Sequence, residues 1–174
     1  MVGRHTACEI RRPPYTLARL GDDGFAAILA GTSLEARWLE LEITETAVMR
    51  HSEESIVTLR ALHDRGVRIS VDDFGTGYSS LSYLKRFPIQ MLKVDQSFVR
   101  DITTGPDDAA IVAAVASLAH NLGLKVIAEG VETPEQLILP RALRCNSFQG
   151  FHFSRPLPAA EFEALPRDGK SLGA

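Results

Sequence analysis

Cysteine is scarce in this chain: Cys8 and Cys145 are the only two. They fall into no metal-ligand spacing, which argues against a disulfide framework and against a cysteine zinc site and leaves a reducing cytoplasm as the expected compartment. Positive charge is not in excess either. The formal net charge is -3 and the pI is near 5.9, so no broad field would hold a nucleic acid or an anionic membrane, and neither is expected as a partner. An anionic substrate would need a specific site. Long apolar runs are also missing: residues 109–119 give about half of the roughly 20 residues that a membrane span requires. Asp107 and Asp108 precede that run, which is read as a buried helix. The basic residues near the start are followed by no apolar segment, so no secretory signal is expected. What is present, 45% hydrophobic and 24% charged residues in 174, suffices for one core and one domain.

From residue 38 onward, β-rich runs alternate with helical patterns. "WLELEIT" (38–44), "VRISVDDF" (67–74), "MLKVD" (91–95), "KVIAEGV" (125–131) and "SFQGFHF" (147–153) read as strands. Between them, residues 52–65 open on Ser52 with Glu53 and Glu54, carry Ile56, Leu59 and Leu62 at helical spacing, and stop at Gly66. Residues 106–122 begin at Pro106, place Ile111, Val115, Leu118 and Leu122 on one face, and stop at Gly123. Residues 133–143 start with a capping box, Thr133 with Gln136 and Pro134 between them, and Pro140 is expected to kink or shorten that helix. Alternating strands and helices imply parallel strands joined by right-handed crossovers, an α/β sheet or barrel with ligands at the C-terminal strand ends.

Side-chain alternation in those strands separates apolar from charged residues. Leu39, Leu41 and Ile43 oppose Glu40, Glu42 and Thr44; Ile69 and Val71 oppose Ser70 and Asp72; Leu92 and Val94 oppose Lys93 and Asp95. Glu129 stands near the end of the fourth strand and Gln149 takes the matching place on the fifth. If the polar faces converge, Glu42, Asp72, Asp73, Asp95 and Glu129 meet against Lys93 alone, a net charge of about -4 that protons or cations must neutralise. Oxygen ligands without His or Cys favour Mg²⁺, Mn²⁺ or Ca²⁺ over zinc. The adjacent pair Asp72 and Asp73 in "SVDDFGTGYSS" could bridge or flank two divalent ions, an arrangement suited to phosphodiester hydrolysis. A single carboxylate at a strand end is usually a turn or cap residue. Repetition over four strands is what points to a site.

Four segments, "LELEITE", "DDFGTGYSSLSYLKRFPIQMLKVDQSFV", "VIAEGVET" and "QGFHFSRPLP", resemble in order and spacing the EAL domain of bacterial cyclic-di-GMP phosphodiesterases, over residues 33–165. The resemblance implies an incomplete EAL-type (β/α)8, TIM-like barrel with five of its eight strands recognisable. It divides the chain into a divergent, unassigned segment at 1–32, a truncated EAL domain at 33–165 and a flexible tail at 166–174. It further implies Mg²⁺ or Mn²⁺ as cofactors for hydrolysis of cyclic di-GMP to pGpG. By resemblance Glu42, Asp72, Asp73 and Glu129 are metal ligands, with Asp72 bridging both ions, and Lys93 and Glu129 are catalytic, Lys93 orienting the attacking water. Glu45, Asp95, Glu132 and Gln149 take supporting places. Glu45 and the loop Phe74, Gly75, Thr76, Gly77, Tyr78, Ser79 and Ser80 match the element that couples the metal site to a dimer interface.

The sequence also departs from the family pattern. The strands carrying the Glu-Ala-Leu signature and a metal-binding Asn are not recognised ahead of "LELEITE", and Glu9 in "CEIRRPP" stands too few residues before Glu42 to replace the signature glutamate. Residues 15–34 read as a surface turn and a helix; alternatively their end fits a shortened family helix before "LELEITE", or "ARLGDDGFAAIL" weakly resembles the signature hairpin of diguanylate cyclases, with Gly24 where the signature glutamate would stand. Arg144 and Asn146 stand where the family often has Gly and Asp. A barrel with open edges is expected to be covered by association or by N-terminal elements rearranged over the gap. The expectation is therefore an EAL-type domain with lost or weak hydrolysis that forms a homodimer or larger assembly; the alternative is a non-catalytic module that binds cyclic di-GMP or a protein.

Overall fold

A computed structural model describes residues 35–45, 53–77, 84–158 and 161. Glu9, Tyr78, Ser79, Ser80 and the segments 1–32 and 166–174 lie outside the described residues. Among the described residues five strands form one sheet in sequential order: β1 (Glu40–Thr44), β2 (Arg68–Phe74), β3 (Met91–Val94), β4 (Lys125–Ala128) and β5 (Ser147–Phe148). Every pairing is parallel. The connecting helices are α1 (Glu53–Asp64), α2 (Gln96–Arg100), α3 (Pro106–Asn121) and α4 (Pro134–Ala142).

The aliphatic face of each strand is the one that the helices cover. Ile43, Ile69, Val71, Leu92, Val94, Val126 and Ala128 are all buried, and Ile56 and Leu59 of α1 join them in one core. Leu62 packs instead with Val67 in a smaller cluster beside it. Helix α1 ends where Gly66 takes a φ of +95, and the Val67 N–H then returns to the Leu62 carbonyl at 3.1 Å. A left-handed residue at that place closes the last helical turn, and glycine takes it without steric cost.

Three details differ from the sequence reading. Helix α3 buries Val112, Val115, Ala116 and Ala119, while Ile111, Leu118 and Leu122 pack only at the margin of the core. The small residues let the helix approach the sheet, so the buried face is turned away from the one marked by the largest side chains. Helix α4 runs two residues past Pro140 to Ala142, and its capping box is intact. Strands β4 and β5 are shorter than the apolar runs that announced them; β4 ends where Gly130 turns the chain at a φ of +71 directly after Glu129.

Helix α2 has too few residues for periodicity to announce it. It forms where Asp95 accepts a hydrogen bond from the Ser97 N–H at 2.8 Å, an N-cap on the first turn after β3.

The register between β2 and β3 contains one irregularity that shapes the site. Val71 pairs with Leu92, but Phe74 pairs with Val94, so β2 uses three steps where β3 uses two. The extra residue lies in the Asp72–Asp73 segment, and Asp73 has a φ of +54. A bulge of this kind resets the alternation. Phe74 returns to the core, 3% exposed, while Asp72 stays on the polar face.

Candidate functional site

Lys93 is the centre of the polar face. It is 3% exposed, in the middle of the most buried strand, and its ammonium reaches carboxylates from three other elements. Nζ donates to Glu42 Oε1 at 2.6 Å, lies 2.7 Å from Glu129 Oε1, and lies 3.3 Å from Asp72 Oδ1. The sheet register brings them together: Thr44 is opposite Asp72, and Lys93 is opposite Ile127, two residues before Glu129. The sequence placed these residues on polar faces separately, and the parallel register joins them at one end of the sheet.

Three carboxylates and one ammonium leave an excess of negative charge in a poorly solvated place, and the titration of the groups reflects it. Burial alone would push the Lys93 ammonium down, but Glu129, Glu42 and Asp72 together hold it well above the ordinary lysine value. Burial pushes the Glu129 carboxyl up to about 7; Lys93 opposes that shift, and repulsion from Asp72 and Glu42 adds to it. Asp72 Oδ1 is buried and has no hydrogen-bond partner, so its contact with Lys93 is an ion pair without directed geometry.

Asp73, the second carboxylate of the adjacent pair, points to different company. The Asp73 carboxyl is raised by burial, by Asp72 and by its contact with Asp95. Burial opposes the shift at Asp95, but hydrogen bonds from the Ser97 hydroxyl and N–H outweigh it and hold that carboxyl down. Asp73 and Asp95 therefore form a subsite in which Asp73 is the group that more readily carries a proton.

Glu45 follows β1 and is 2% exposed. Its Oε2 accepts from the Gly75 N–H at 2.9 Å and the Gly77 N–H at 3.2 Å, which fixes the turn after β2. A Cβ on Gly77 would lie 3.1 Å from Glu45 Oε1. Glu132 and Gln149 are exposed at the same end of the sheet. Gln149 is set by its backbone: its N–H donates to the Ala128 carbonyl at 2.9 Å and its carbonyl accepts from the Val131 N–H at 3.0 Å.

Sequence reasoning took Gln136 for a capping residue only. Its buried amide also joins two loops: Oε1 accepts from the Glu132 N–H at 2.7 Å and the Thr133 N–H at 3.0 Å, and Nε2 donates to the Arg100 carbonyl at 3.0 Å. The turns after β3 and β4 are further pressed together at Gly130, where a Cβ would lie 2.5 Å from the Gln96 Cβ. No sequence pattern announces contacts of that range.

The donor set fits a hard divalent cation in its chemistry. It offers carboxylate oxygens, no His or Cys, and one buried carboxylate oxygen, Asp72 Oδ1, that accepts no hydrogen bond. Among the described residues, however, no three such ligands already stand around a common cation position. Glu42, Asp72 and Glu129 are closed on the ammonium instead.

Comparison with known proteins agrees with this arrangement. The model of the EAL domain family matches residues 14–156. The chain is 50% identical over 139 residues to cyclic di-GMP phosphodiesterase NbdA of Pseudomonas aeruginosa, covering 80% of this chain and 18% of NbdA. It is 51% identical over 132 residues to the bifunctional diguanylate cyclase/cyclic di-GMP phosphodiesterase MucR of the same organism, covering 76% of this chain and 19% of MucR. The solved MucR phosphodiesterase in complex with c-di-GMP has a TM-score of 0.83 at 46% identity, over 87% of this chain and 62% of that one. Klebsiella pneumoniae BlrP1 in a manganese/cy-diGMP complex has a TM-score of 0.74 at 38% identity, over 82% of this chain and 37% of that one. The chain spans about a fifth of the length of the curated relatives it matches. Its five parallel strands are those of an incomplete EAL-type (β/α)8 barrel, and the chain belongs to the EAL domain family.

Proposed function

We propose that this chain is a signalling domain of the cyclic-di-GMP phosphodiesterase type in which hydrolysis to pGpG is lost or strongly weakened. The observation that carries the reading is the contact of Lys93 with Glu42, Asp72 and Glu129 at the C-terminal ends of parallel strands. In this reading Glu42, Asp72, Asp73 and Glu129 hold Mg²⁺ or Mn²⁺, which when bound screens the phosphate charge and activates water. Lys93, which stands beside Glu42, Asp72 and Glu129, orients the attacking water. In the metal-free chain Glu129, with a carboxyl near 7, can take up a proton at an Oε atom near neutral pH. Asp95, Glu132 and Gln149 support the site, and Glu45 keeps the turn at Gly75 and Gly77 in place beside it.

Weak hydrolysis follows from the ligand set. The glutamate and asparagine that the family resemblance expects ahead of Glu42 are not recognised in the sequence. A two-metal displacement needs both ions to clamp the attacking and leaving oxygens. Binding of cyclic di-GMP through a single cation remains within reach of the residues present. Assembly belongs to the same reading: among the described residues β1 pairs only with β2, and an open edge of this kind is normally covered. No described helix is long and apolar enough to cross a membrane, and we place the domain in the cytoplasm.

The test is incubation of the purified chain with cyclic di-GMP and Mg²⁺ or Mn²⁺, with pGpG followed by chromatography beside an Asp72→Ala control. Little or no pGpG, together with metal-dependent retention of cyclic di-GMP in equilibrium dialysis, is the expected outcome. Steady pGpG formation that disappears in the control would overturn the weakened step. Absence of both product and ligand binding would favour a protein-interaction module.

A further inference from the structure

We propose that Lys93 is an internal cation that competes with a divalent ion for the carboxylates of this site, so that metal loading requires its ammonium to withdraw and the residue sets metal affinity. The inference rests on the reading of Glu42, Asp72 and Glu129 as cation ligands. It does not depend on nucleotide binding or on hydrolysis.

Three observations carry it. The Lys93 ammonium contacts a carboxylate from each of β1, β2 and the segment after β4, at 2.6, 3.3 and 2.7 Å. The lysine side chain is only 4% exposed, so its charge is satisfied by these groups rather than by water. The carboxylates are also not arranged around any second centre: among the described residues no ligand group stands ready for a metal. Oxygens drawn toward a nitrogen at hydrogen-bonding range must regroup to meet a cation at the roughly 2.1 Å that Mg²⁺ demands. A buried ammonium and a divalent ion that share the same oxygens repel each other, with little water between them to screen the charges.

A purely structural role for Lys93 predicts the opposite result. If the lysine only pinned the strands, its removal would scatter the carboxylates and weaken metal binding. If it competes, removal frees them.

The two are separated by Mn²⁺ titration of the chain, with free Mn²⁺ read by electron paramagnetic resonance and no nucleotide present. Lys93→Met keeps much of the stem and removes the charge, and it is expected to bind Mn²⁺ about tenfold or more tightly than the unsubstituted chain. Lys93→Arg keeps the charge and is expected to stay within a few-fold of it. Equal or weaker binding by Lys93→Met overturns the inference alone, because the cation site itself is then still present. Failure of all three proteins to bind Mn²⁺ overturns the site reading, and the inference with it. Should Lys93→Met not fold, the ¹⁵Nζ and ¹³Cε resonances of Lys93 in the unsubstituted chain give the answer during Mg²⁺ titration. They are expected to move as the metal binds, and unchanged resonances at saturation overturn the proposal.

Discussion

Gly150 is the tightest backbone approach in this part of the chain, and Gly150→Ala tests it. A Cβ built there would lie 2.0 Å from the Val131 carbonyl oxygen and 2.4 Å from the Val131 nitrogen. Both atoms are backbone, so no side-chain rotation relieves the overlap. Val131 is fully buried and makes two bonds across this approach: its N–H donates to the Gln149 carbonyl and its carbonyl accepts from the His152 N–H, each at 3.0 Å. Parting the segments forfeits both, about 1 kcal/mol each, and forced overpacking adds about 1–3 kcal/mol. The expected loss is therefore about 3–5 kcal/mol in urea unfolding followed by circular dichroism. Hydrogen exchange at the Val131 and His152 amides should accelerate in parallel. Gly123→Ala is the control: its φ is +72, but nothing lies within 4 Å of its Cβ, so it should cost only the conformational strain of about 1 kcal/mol. A loss at Gly150 no larger than at Gly123, with both amides still protected, would refute the reasoning.

Other outcomes follow from single groups. The Glu129 carboxyl rises from 4.5 to about 7 in the folded chain, so its contribution to stability is complete below about 4.5 and is lost as pH climbs through 7. In metal-free buffer the stability of the unsubstituted chain relative to Glu129→Gln should fall by up to about 3 kcal/mol over that window; a difference that is flat with pH refutes the assignment. Arg144 has a φ of +58 and is exposed, so Arg144→Gly should stabilise by about 0.5 kcal/mol in thermal melting, the relief of strain exceeding the entropy gained by the unfolded chain. Burial pushes the Cys145 thiol up to about 11, and labelling by a thiol reagent at pH 8 should proceed only at the rate of unfolding.

Much of the site was legible because strand alternation is a strict rule. Glu42, Asp72 and Lys93 each occupy the polar parity of an otherwise aliphatic strand, and a parallel sheet brings such faces together at one end. Asp73 broke the rule visibly, since two acidic residues precede the buried Phe74, and the bulge restores the parity that the core demands. Other features were hidden for physical reasons. Val131 is apolar and fully buried, so "KVIAEGV" looks like one strand, although the ladder stops at Ala128 and Gly130 turns the chain. On α3 the largest residues mislead: Ala116 and Ala119 sit deeper than Ile111 and Leu118 because the helix lies close to the sheet. Gln136 reaches Arg100 across 36 residues, a distance that local patterns cannot report.

The sequential strand order also bears on how the chain acquires its fold. Each strand pairs with the next one, and paired residues are as few as 20 apart (Ile127 with Ser147) and as many as 34 apart (Met91 with Lys125). Closing a loop costs entropy that grows only with the logarithm of its length. Each step of sheet growth among the described strands therefore meets a similar and moderate closure penalty, and none of these strands has to wait for a distant one. The carboxylates of β1 and β2 can come together before the Lys93 strand docks, and until it does their mutual repulsion works against that early pair. Docking of β3 brings the central strand and the ammonium that pairs with Glu42 and Asp72 in the same event, so growth of the sheet and partial relief of that repulsion coincide.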